Sequence, residues 1–72
     1  MSVTLQLEDD EALVLFELLA SKKLLGSVEA PERNVLWCVE ALLEKQLVAP
    51  FQSDYSEQLV AARRSLVERY GP

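Results

Sequence analysis

From Pro31 to Leu47 the chain reads PERNVLWCVEALLEKQL, and no other stretch constrains the fold as tightly. Val35, Leu36, Val39, Leu42, Leu43 and Leu47 recur at helical spacing and make one broad apolar face. Arg33, Glu40 and Glu44 line the opposite side. Pro31 suits the first turn of a helix, where its missing N–H costs nothing, and Pro50 stands just beyond the end. The spacing predicts a helix over 31–47. Trp37 falls among the charges by angle, so something must cover it: either the C-terminal helix of the same chain or a partner. Arg33 is placed to lie over its ring in either case. Cys38 falls on the margin of the apolar face, where a free thiol behaves as a small buried hydrophobe.

The rest of the chain must bury that face, and it is short. Seventy-two residues make one domain, 1–72. A chain of this size hides only about 60% of its unfolded surface. Half the residues are apolar and 26% are charged, which argues against disorder and leaves more apolar surface than three short helices hide. Small domains offset such a deficit with disulfides, a metal or a partner. One Cys and no His exclude an intramolecular disulfide and a zinc-type cluster, so we expect no cofactor and a partner, most simply a second copy.

Taken in order, Val3, Leu5 and Leu7 alternate with Ser2, Thr4 and Gln6, which predicts a strand over 2–7. A lone strand needs a mate, either the piece around 48–51 or the same strand of another copy. Glu8, Asp9, Asp10 and Glu11 follow; we read Asp9 as a helix cap with the next two acids in the first turn. Carboxylates at a helix start fan outwards rather than converge on a metal. The first helix is expected over 9–25, with Lys22 and Lys23 in its last turn and Gly26 as its left-handed terminator. Ala12, Leu15, Phe16, Leu19 and Leu24 or Ala20 form its main stripe, while Val14 and Leu18 make a second stripe beside it. Those two are expected to meet the N-terminal strand or another chain, or else to stand as isolated surface aliphatics. A third helix is expected over 54–69, opened by an Asp54–Glu57 capping box. Its stripe, Tyr55, Leu59, Ala62, Leu66 and Tyr70, should lie over the second helix, with Phe51 closing the core. The fold class is therefore mainly α, one short strand followed by three helices, completed by dimerisation.

Several functions are disfavoured. Net charge is −5, carried by residues 1–50, and phosphate backbones and anionic membranes repel such a surface. No run approaches a membrane span, and the start lacks the basic and apolar regions of a secretory signal, so a cytoplasmic location is expected. Without His there is no ordinary nucleophile–base pair, and neither Gly26 nor Gly71 sits in a phosphate loop. We expect no enzyme and no small-molecule substrate. Arg63, Arg64 and Arg69 are read as complements to a helix C-terminus rather than as a binding patch.

VTLQLEDDEALVLFELL at 3–19 and LWCVEALLEKQLVAPFQSDY at 36–55 resemble a group of small, uncharacterised bacterial proteins, over nearly the whole chain. That resemblance implies a bacterial single-domain protein and transfers no functional residue. The layout, strand 2–7, helix, glycine-containing turn and helix, also resembles ribbon-helix-helix proteins, whose N-terminal strands pair in a dimer. There the polar face Ser2, Thr4 and Gln6 is the one set to read DNA, yet it carries no Lys or Arg and four acids follow it. The expected function is a homodimeric protein–protein interaction domain with contacts at Val3, Leu5, Val14, Leu18 and Trp37. The alternatives are a ribbon-helix-helix-like DNA-binding regulator and an acidic immunity- or antitoxin-like protein capping a basic partner.

Overall fold

A computed structural model describes residues 1–48 and 51–72, with only the backbone of Leu25. Among them the chain forms three α-helices: α1 (Asp9–Ala20), α2 (Ala30–Gln46) and α3 (Tyr55–Tyr70). A 3-10 turn, Leu25–Ser27, joins the first two. The protein is mainly α, and no strand occurs among the described residues.

The strand expected over 2–7 is therefore absent from the single chain. Those residues are exposed and irregular, with Val3 at 80% and Leu5 at 79% of full exposure. A strand is held by ladder hydrogen bonds from a neighbour, and residues 2–7 make no backbone hydrogen bond with the other described residues. The mate expected at 48–51 includes Ala49 and Pro50, which lie outside the described residues.

Helices α1 and α2 start by the same device. Glu8, not Asp9, is the N-cap of α1, and its backbone N–H donates to Glu11 Oε1 at 2.9 Å. At α2 the Glu29 N–H donates to Glu32 Oε1, also at 2.9 Å. A glutamate three residues into the helix thus reaches back to satisfy the cap's own donor. Helix α3 differs: Asp54 holds the N-cap position without a side-chain cap bond, so the expected Asp54–Glu57 box does not form. Gln58 Nε2 instead donates to Asp54 Oδ1 and to Gln52 Oε1, each at 2.7 Å.

The end of α1 also departs from expectation. The helix stops at Ala20, short of Leu25, so Lys22 and Lys23 lie beyond its last turn. Lys22 takes the left-handed conformation at φ 62°, while Gly26 does not. The Ser21 N–H makes the last regular helical bond, to Glu17 O at 2.9 Å; Lys22 N–H turns to Leu19 O instead of Leu18 O, and the Ser21 hydroxyl donates to Leu18 O at 3.0 Å in its place.

Helix α1 is the centre of the molecule. Helices α3 and α2 both pack on it and share little contact with each other. Flanked by two helices, α1 buries a wide arc: Ala12, Leu13, Phe16 and Leu19. Leu13, outside the expected stripe, joins Leu59 and Ala62 of α3 in the core, with Val14 and Tyr55 packed against them. Leu15, expected inside, is only half-buried. The expected stacking of α3 on α2 is thus replaced by α3 on α1. Helix α2 buries no residue fully. Its face divides, with Leu36, Val39, Leu43 and Leu47 half-buried while Val35 and Leu42 stay 62% and 57% exposed. Phe51 is likewise exposed and closes no core.

Polar side chains fix the antiparallel pairing of α1 and α3 at both ends. At one end Ser65 Oγ donates to Asp10 Oδ2 at 2.7 Å, and the Arg69 guanidinium binds the same oxygen. Tyr70 Oη donates to Glu11 Oε2 at 2.7 Å. At the other end Tyr55 Oη donates to Glu17 Oε2 at 2.7 Å. The Ser65 hydroxyl, with Arg69, holds the Asp10 carboxyl below its ordinary pKa of 3.8. The Glu8 N–H and the Tyr70 hydroxyl lower that of Glu11 from 4.5. Burial, with the Glu17 hydrogen bond, pushes the Tyr55 phenol well above 10.0.

Candidate interaction surface

The exposed apolar surface gathers in three places. The first is the arm, residues 2–7. The side chains of Val3 and Leu5 are almost wholly exposed, and Leu7 is partly so. On an extended chain these three point the same way.

The second is an open groove of about 420 Å³ between α1 and α3. Val14, Leu15 and Leu18 form one wall, and Leu66 and Val67 form the other. Glu11 and Tyr70 close one end and are tied to each other. The paired polar contacts bring α3 onto α1 and leave the groove between their outer faces.

The third lies at the junction of α2 with the end of α1. Trp37 adjoins Leu19, Lys22, Leu24, Leu36 and Glu40 around a crevice of about 10 Å³. That space holds about one water and no ligand. Trp37 remains 48% exposed, and no residue of α3 shares its crevice, so the C-terminal helix does not cover it. The stacked guanidinium among the described residues is Arg69 over the Tyr70 ring at 5.3 Å, not Arg33 over Trp37. Arg33 Nε is out of contact with solvent and has no hydrogen-bond partner. Cys38, expected as a small buried hydrophobe, is exposed on α2.

Comparison of the chain with protein-family models, curated proteins and solved structures gives no match. Of the five residues expected at an interface, Val14 and Leu18 meet in the groove, Val3 and Leu5 lie on the arm, and Trp37 stands apart at the α1–α2 junction. Val14 also touches the core formed by Leu13, Leu59 and Ala62, so it serves fold and surface together. Leu15, Leu66 and Val67 were not expected in the groove. Their signal was weak, because Leu15 and Leu66 sit on stripes that read as core and Val67 is a single aliphatic beside one.

These surfaces present mainly apolar side chains, with Glu11, Lys22, Glu40 and Tyr70 at their edges. Among the described residues no three acidic or Cys side chains are gathered to hold a metal ion. No helix among them is long and apolar enough to cross a membrane.

Proposed function

We propose that the chain is a protein–protein interaction domain that works as a homodimer and catalyses no reaction. One observation carries this reading. The chain exposes 5704 Å², whereas a compact monomer of 8.1 kDa exposes about 4,500 Å². The excess of about 1,200 Å² exceeds the roughly 800 Å² that each partner contributes to an interface of standard size. The radius of gyration agrees: 13.1 Å, against about 11 Å for a compact chain of this length. Exposed apolar side chains lie on residues 2–7, in the α1–α3 groove, at Trp37 and on the outer side of α2.

A second copy is the simplest partner, since most soluble oligomers are symmetric homo-oligomers. Val3, Leu5, Val14, Leu18 and Trp37 are the proposed contacts, and the cytoplasm is the proposed location. The DNA-binding alternative is less favoured because residues 2–7 carry no cation to meet a phosphate backbone. Light scattering at micromolar concentration tests the reading: it predicts twice the mass of 8.1 kDa. Trp37→Ala should weaken that association while circular dichroism keeps its helix signal. A monodisperse, stable monomer overturns the proposal.

A further inference from the structure

We infer that the second half of α3, residues 63–70, is a flap latched to the start of α1 by the Asp10 and Glu11 carboxylates. Neutralising those two groups releases the flap while the rest of the fold stays closed. The inference concerns the single chain and holds whether or not the chain dimerises.

The two halves of α3 are held differently. In the first half Leu59 and Ala62 are buried against Leu13, and Tyr55 packs on that core with its hydroxyl on Glu17. Beyond Ala62 no residue is buried, and only Ser65 and Leu66 are half-buried. Leu66 and Val67 border an open groove rather than a closed core. The grip here is polar. Ser65 Oγ and the Arg69 guanidinium both bind Asp10 Oδ2, and Tyr70 Oη donates to Glu11 Oε2. Arg69 Nη1 also stands 3.9 Å from Glu11 Oε2.

Every one of those contacts ends on Asp10 or Glu11. The groups facing the two carboxylates are Ser65, Arg69 and Tyr70 from α3 and, on their own side, each other and the Glu8 N–H. Among the described residues α2 gives neither of them a hydrogen bond or an ion pair. An ionised carboxylate accepts all these donors, whereas a neutral one loses the charge that strengthens each bond and holds Arg69. Both carboxyls lie below their ordinary pKa values, so the latch is closed above that range and opens as pH falls through the lower folded values. Opening starts where buried apolar contacts are fewest, which on α3 is past Ala62. Release takes Leu66, Val67 and Tyr70 away from Val14, Leu15 and Leu18, so the groove exists only while the latch is closed.

The double variant Asp10→Asn, Glu11→Gln tests this at pH 7. It removes both charges at nearly constant size, and Glu11→Gln keeps an acceptor for the Glu8 N–H, so the start of α1 is preserved. Read by NMR, amide exchange over residues 66–70 should rise at least about tenfold above the wild type, while residues 59–62 change less than about threefold. Helical carbon shifts should fall over the same last turns alone. The wild type should repeat the pattern on acidification, with residues 66–70 losing helix before 55–62. Unchanged exchange over residues 66–70 in the variant overturns the inference. So does a variant unfolded throughout, because the two carboxylates then hold the whole fold rather than a flap. A wild type whose last two turns are already unprotected at pH 7 has no latch, and one acid transition shared by both halves of α3 contradicts a separate flap.

Discussion

Lys22 holds φ 62°, a conformation that costs a residue with a Cβ about 1–2 kcal/mol and costs glycine little. Its side chain is exposed, so Lys22→Gly should raise unfolding stability by about 0.5–1 kcal/mol in denaturant melts, once the greater freedom of unfolded glycine is subtracted. Gly26→Ala is the control: a Cβ there meets nothing within 4 Å and the backbone is not left-handed. It should be neutral or slightly stabilising, and a large loss would place the helix terminator at Gly26 after all. Tyr55 is different in kind. Its hydroxyl satisfies the Glu17 carboxylate in a part-buried setting, so Tyr55→Phe should cost about 1–2 kcal/mol by the same measurement.

Between elements, α1 is tied to α3 by apolar packing in the middle and carboxylates at the ends. Leu13→Ala should cost about 2–4 kcal/mol, since it opens a cavity against Leu59 and Ala62. Val35→Ser on the outer side of α2 should stay within about 0.5 kcal/mol. Acid should loosen the pairing. The folded chain keeps Asp10 and Glu11 ionised below their ordinary values of 3.8 and 4.5, so the unfolded chain takes up protons first. Their contribution is fully present above that range and is lost as pH falls through the lower folded values. Urea midpoints should drop on acidification, and Asp10→Asn should make the drop smaller. The three helices were legible in the sequence, because stripes of 3.6-residue period are local signals. Their arrangement was not. Asp10, Glu11 and Glu17 sit in ordinary helix-start and surface positions, and nothing local pairs them with Ser65, Arg69, Tyr70 and Tyr55, 38 to 59 residues away. The early stop of α1 has no local signal either, because Ser21 acts through its hydroxyl and Lys22 is an unusual residue for a left-handed turn.

At the scale of the whole molecule, the balance between chain length and apolar content was visible from composition, and the exposed surface carries the same message. Helix α2 began as the natural centre, being long and bounded by prolines, yet it packs by one half-buried side and leaves Val35, Leu42 and much of Trp37 open. Helix α1 took the centre because it alone is apolar over enough of its circumference to receive two neighbours. A 72-residue chain built this way has a margin of only several kcal/mol, so a second copy covering the exposed apolar surface, as proposed, would add to its stability. Sedimentation equilibrium of the unmodified chain across micromolar concentrations tests that claim most directly. The account predicts a mass that rises towards twice 8.1 kDa and a thermal midpoint that rises with it. A single 8.1 kDa species with a concentration-independent midpoint would contradict it.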